Sequence, residues 1–142
     1  MSDFKLKAYA ATTALTTELN ALANNANTAA SAAIDNTTLL YPYADIEIVV
    51  GAQGSARTAG AVVKVFMTVR TDATNFGDTN ETTAELVAVF PLDAATTARR
   101  LTRRSIPLPP EQYKLFARNE TGQALAATLN TVKVMAYYLQ VV

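Results

Sequence analysis

The chain reads as an all-β protein, an antiparallel sandwich or barrel, and three observations predict this. From residue 36 onward, apolar and polar side chains alternate with a period of two in one segment after another. Polar turns containing Gly, Pro, Asn or Asp separate those segments, with no ten-residue helical pattern between them, so parallel βαβ units are not expected. At 142 residues the chain suits one domain, which at this size buries roughly two thirds of its unfolded surface and needs no covalent staple.

The first 35 residues stand apart. "ATTALTTELNALANNANTAASAAIDN" is rich in Ala, Thr and Asn and poor in large side chains. Leu15, Leu19 and Leu22 fall at i, i+4 and i+7, which is helical spacing. Thr favours strands and Asn favours turns, which supports short strands turning at "ANNA" instead. Three leucines are thin support for an isolated helix, so the strand or extended-arm reading is preferred. Either way residues 1–35 carry too little apolar bulk to form a core. They are expected to act as an arm that docks on a partner, or to complete the main domain of residues 36–142. Leu15, Leu19 and Leu22 are the candidate anchors.

The main domain supplies six predicted strands. Residues 39–50, "LLYPYADIEIVV", place Leu40, Ala44, Ile46, Ile48 and Val50 on one side and Tyr41, Tyr43, Asp45 and Glu47 on the other. Pro42 cannot donate to a ladder and marks an edge, a bulge or a strand start. Residues 51–60 hold three of the five glycines and read as a loop. Residues 61–70 form a second strand, and a long polar loop over 71–83 leads to a third at 84–92. "RRLTRRSIPL" over 99–108, "QYKLFARN" over 112–119 and "TVKVMAYYLQ" over 131–140 complete the set. Pro107, Pro109 and Pro110 fix an extended lead-in between the fourth and fifth strands. Residues 119–122 then turn, with Gly122 free to take positive φ. The alternation predicts Ile46, Ile48, Val63, Val65, Leu86, Leu115 and Val134 as buried.

Composition excludes several function classes. There is no Cys, His or Trp. Disulfides, thiolate nucleophiles and zinc-thiolate sites are therefore impossible, and the commonest general base and metal ligand are missing. Twelve basic and twelve acidic residues give zero formal charge, which argues against a general nucleic-acid binder and favours association with other protein. No run approaches the ~18 apolar residues that span a membrane. No apolar stretch follows Lys5 and Lys7, so a signal peptide is not expected and synthesis in a cytoplasm is.

The candidate sites are few. Arg99, Arg100, Arg103 and Arg104 form the one charge cluster. On a strand they alternate faces, which suits either a solvated strand paired with nearby carboxylates or a segment gripped by a partner. Asp72, Asp78, Glu81 and Glu85 lie in a loop whose spacing does not match a Ca²⁺ site. Asp45 and Glu47 share a strand face, as a glycosidase pair can, but a solvent face is the plainer reading. The three Asn-x-Thr triplets at Asn36, Asn80 and Asn119 are chance matches to a glycosylation signal. One of Tyr137 and Tyr138 points inward and the other outward. No catalytic, cofactor or metal site is expected.

Three stretches carry a family resemblance. They are Ala33-Ile34-Asp35-Asn36-Thr37 before the first strand, Val89-Phe90-Pro91-Leu92-Asp93 at the end of the third, and Ile106 through Lys133. Together, over about residues 15–142, they resemble small tailed-bacteriophage virion proteins of the capsid decoration, cement or head-fibre type. Those proteins often have Gly where this chain has Glu111 and Asn25; both are turn positions, and Asn tolerates positive φ. The resemblance implies a jelly-roll-like β-sandwich with no enzymatic activity, present in many copies on the capsid surface of a virion and bound to the major capsid protein. A homo-oligomer is expected, a trimer by analogy with three-fold shell positions. A carbohydrate- or host-surface-binding module, or a tail or neck accessory protein, is the alternative.

Overall fold

A computed structural model describes residues 3–141. Among these it has nine strands and no helix: β1 (Phe4–Ala8), β2 (Thr12–Leu15), β3 (Ile34–Asp35), β4 (Tyr43–Val50), β5 (Val62–Val69), β6 (Glu85–Pro91), β7 (Arg99–Pro107), β8 (Gln112–Glu120) and β9 (Thr131–Val141). They form two antiparallel sheets, a β-sandwich. One has the order β1-β9-β4-β7, with β2 lying beside the first half of β9; the other has the order β3-β8-β5-β6. The pairings are nested. β5 pairs with β6, β4 with β7, β3 with β8 and β2 with β9, as in one long hairpin rolled up on itself.

Alternation decides what fills the space between the sheets. Ile46, Ile48, Val63, Val65 and Leu115 are fully enclosed, and Val134 is 3% exposed. Leu86 differs from its predicted burial and is 47% exposed. Val65 pairs with Ala88 but Phe66 pairs with Leu86, so Val87 is an extra residue in β6. This bulge turns Val87 toward the core and moves Leu86 to the outer face. On that outer face Phe66 and Phe116 stack at 5.1 Å. The 70–84 loop folds back toward the same sheet. Its Gly77 amide donates to the Val69 carbonyl, Phe76 lies 4.4 Å from Lys114 Nζ, and Glu81 pairs with Arg118 at 2.8 Å.

β4 begins at Tyr43 rather than at residue 39. Asn36 is the cause. Its amide donates to the carbonyls of Tyr41 and Pro109, and its Oδ1 accepts from the Tyr41 amide. The loop is held as a turn in which Leu40 takes φ 49° and is exposed.

The N-terminal third is woven into the sandwich. Leu15 and Leu19 are fully buried in the core, and Leu22 packs against it. Residues 16–22 form turns rather than a helix. Residues 25–31 then run along the free edge of β8. The amides of Asn25, Thr28 and Ser31 donate to the carbonyls of Asn119, Ala117 and Leu115. In return Thr28 Oγ1 accepts from the Ala117 amide at 2.9 Å, and Ser31 Oγ accepts from the Leu115 amide at 3.0 Å. Asn25 takes φ 59°, the left-handed turn that Asn accepts more readily than most residues.

Buried polar side chains fasten the corners. Asn119 donates to the Leu22 and Gln123 carbonyls and accepts from the amide and hydroxyl of Thr121. Gly122 follows at φ +82°, and a Cβ there would meet Thr58 Oγ1 at 2.4 Å. Thr58 cannot swing aside freely, because that hydroxyl donates to the Thr121 carbonyl. Next to Thr58 in the chain, the buried Arg57 donates to the carbonyls of Asp93 and Thr97, to Gln53 Oε1 and to Asp93 Oδ1. Arg99 grips the same carboxylate with two nitrogens. The Arg99 hydrogen bond, aided by Arg57, holds the Asp93 carboxyl down to about 2 from its ordinary 3.8.

Three outcomes are expected from this packing. Leu15→Ala and Leu19→Ala should each cost about 2–5 kcal/mol, measured by urea unfolding; neutral behaviour would remove those leucines from the core. Gly122→Ala should lower stability by more than the ~1–2 kcal/mol of a left-handed Ala alone, since Thr58 must also move. The Asp93 contribution is complete above its ordinary value and disappears as pH falls toward about 2. The melting temperature should therefore fall through that window, and Asp93→Asn should flatten the fall.

Candidate binding surface

The arginine cluster lies along β7, at one edge of its sheet, and each arginine already has an acceptor in its own subunit. Arg99 holds Asp93, and Arg103 Nε donates to the Val89 carbonyl at 2.7 Å, bridging from β7 to the edge of β6. Arg100 and Arg104 sit 3.5 Å from Glu47 and Asp45. This is the solvated-strand arrangement. The last two keep most of their side-chain surface open, at 67% and 81%. Leu15 and Leu19, two of the three candidate anchors, are enclosed by their own sandwich and leave no side-chain surface for a partner. Leu22 is half-buried.

β4 and β7 meet at an irregularity that shapes this face. Ala44 pairs with Ile106 and Ile46 with Arg103, so Arg104 and Ser105 together oppose Asp45. Ser105 takes φ 59° and its amide donates to Asp45 Oδ1. Tyr137 then donates its hydroxyl to Ser105 Oγ at 2.9 Å. Asp45 and Glu47 are thus tied to arginines and a backbone amide. Among the described residues no group of three or more carboxylates converges as a cation site. Asp72 caps a turn instead: the amides of Asn75 and Thr74 donate to it and lower its pKa to about 2. Two of the Asn-x-Thr triplets are turns of the same kind, with Asn80 and Asn119 each accepting from the threonine amide and hydroxyl.

The most distinctive exposed surface lies elsewhere. β9 continues past Tyr137, its last partner on β4. Beyond that point it pairs with β1 alone, so the two strands form a ribbon at the sheet edge. Opposed residues share a face. Phe4 opposes Val141, Leu6 opposes Leu139 and Ala8 opposes Tyr137. Tyr43 continues the strip by stacking on Tyr137 at 6.1 Å. Lys5, Lys7, Gln140 and Tyr138 occupy the other face. The apolar face is open to water: Phe4, Leu6, Leu139 and Val141 are each 57–69% exposed. β1 also leaves one backbone edge unpaired, the feature that lets a strand accept another chain. In the sequence, Lys5 and Lys7 stand out only as charges that no apolar leader stretch follows. The alternation of Phe4 and Leu6 around them was the signal available.

No protein-family model matches the chain, and no curated protein matches it in sequence. Solved structures similar to it include dimeric latent PorU from Porphyromonas gingivalis, at 13% identity and a TM-score of 0.46, covering 96% of this chain and 13% of that one. A CBM4 structure is similar at 10% identity and a TM-score of 0.34, covering 85% and 80%. Turnip yellow mosaic virus protein is similar at 12% identity and a TM-score of 0.35, covering 99% and 82%. The chain spans only a small part of the PorU chain, and similarity this low attaches no function to it.

Proposed function

We propose that this chain is a non-enzymatic structural protein of a bacteriophage virion, which decorates and stabilises the capsid by binding the major capsid protein. The observation that carries the reading is the apolar strip on the β1–β9 ribbon. Four large aliphatic or aromatic side chains lie side by side on an open sheet edge, whereas an isolated chain gains nothing by wetting them. A ribbon of this kind suits a shell subunit that offers its own apolar groove or strand edge. The resemblance to small tailed-phage decoration proteins supplies the particle. The nested strand pairing supports its jelly-roll form. With zero net charge, little repulsion opposes close spacing of copies or assembly as a homo-oligomer, a trimer by the same analogy. Repetition on a shell then converts modest single contacts into avidity.

Leu6→Ser combined with Leu139→Ser tests the reading. Both side chains are exposed, so the melting temperature should stay within about a degree of the parent. Co-sedimentation with capsids lacking the protein should fall by about ten-fold or more, as loss of ~1.4 kcal/mol or more requires. Equal co-sedimentation by parent and variant, or none by the parent, would overturn it. In light scattering a trimer is expected; a monomer in free solution would count against assembly before docking.

A further inference from the structure

At one end of the sandwich the sheets part around a cavity of about 160 Å³. Ile34 of β3 and Val134 of β9 give it apolar walls. Tyr9, Tyr41 and Tyr113 line it with rings, and Asp35 stands beside them. Tyr9 is 55% exposed and flanks the opening, while Tyr41 is 8% exposed. The Tyr41 ring packs 5.6 Å from Tyr9 and 5.5 Å from Tyr138. Asn36 forms a rigid part of the lining, its amide already consumed by Tyr41 and Pro109.

Tyr113 is the informative member. It is 1% exposed, yet burial alone accounts for the rise of its pKa to about 12, with no hydrogen bond contributing. Among the described residues the one sealed side-chain oxygen or nitrogen without a partner is Thr68 Oγ1. Among the described residues the Tyr113 hydroxyl has no hydrogen-bond partner, and its side chain lines the cavity. A hydroxyl at the wall of a cavity with no protein partner is free to exchange a hydrogen bond with a polar occupant. Asp35 offers a second group: Oδ1 accepts from Thr37, which leaves Oδ2 to accept from a ligand.

We propose that this cavity is a subsite for a single neutral pyranose ring. An apolar cavity of about 150 Å³ takes a benzene ring, so a part-open one of this size admits one sugar ring at most, and the exposed Tyr9 ring at its mouth suits the C–H face of a sugar. Its hydroxyls would donate to Asp35 Oδ2 and exchange a hydrogen bond with the Tyr113 hydroxyl. The carboxylate, with no Lys or Arg in the lining, disfavours acidic sugars. The site adjoins the β1–β9 ribbon through Tyr9 and Tyr138, on the face opposite its apolar strip, so its failure would leave the capsid reading untouched. On a decorated particle it would present one weak sugar contact per copy.

The full chain would be titrated with the methyl glycosides of glucose, galactose, mannose and N-acetylglucosamine, with methyl glucuronide and p-cresol as contrasts, and followed by amide NMR shifts. At least one neutral glycoside is expected to bind in the millimolar range, about 4 kcal/mol, with shifts confined to residues 9–12, 34–41, 108, 113 and 134–136. Tyr113→Phe should weaken it about five-fold, the worth of one hydrogen bond, while leaving the melting temperature unchanged because no protein bond is lost. Asp35→Asn should weaken it as well. The proposal is overturned if no neutral glycoside shifts these residues at about 50 mM. It is equally overturned if glucuronide binds as well, if p-cresol binds and the sugars do not, or if Tyr113→Phe binds like the parent.

Discussion

The free edge of β8 is the constraint on which the sandwich depends. β8 carries Tyr113, Leu115 and Ala117 into the core, so its amides and carbonyls are removed from water and must find partners. One side is met by β5. The other is met only briefly by β3, which is two residues long. Residues 25–31 supply the remainder, with backbone amides answering carbonyls and the hydroxyls of Thr28 and Ser31 standing in for backbone acceptors. Small side chains allow that approach. The same segment brings Leu15 and Leu19 with it, and these fill the core.

The low charge of the chain has a matching explanation. Its corners are fastened mainly by amide side chains and one buried arginine. Asn36, Asn119 and Asn130 are almost wholly enclosed. Asn130 accepts from the Gly51 amide and donates to the Ala126 carbonyl and Asn20. An Asn side chain copies the peptide group, so it closes irregular turns that a backbone ladder cannot reach. Arg57 does the same on a larger scale, reaching two carbonyls, Gln53 and Asp93.

Two surfaces are left over once the fold is satisfied, and they differ in chemistry. The β1–β9 ribbon is apolar, extended and open along a backbone edge, which fits another protein. The tyrosine cavity is small and holds a hydroxyl and a carboxylate oxygen without protein partners, which fits a polar ring. The strained turn at Ser105, tied to Asp45 and Tyr137, stiffens the sheet where the ribbon begins.

The sequence by itself determined β4 through β9. Apart from the start of β4, their ends lie within one residue of the alternating segments, because period-two patterning is a local property. It also placed Gly122 and Asn25 at turns with positive φ. Tertiary structure decided the rest. β1, β2 and β3 exist only through partners about 80 to 140 positions away along the chain. The bulge at Val87 reverses Leu86 with no local sign. Most of all, alternation says which residues share a face but not whether that face meets a sheet or water. That is why Leu15 and Leu19 read as anchors for a partner but lie inside. The same limit hid Phe4, Leu6, Leu139 and Val141, whose pairing across the whole chain makes one open apolar strip.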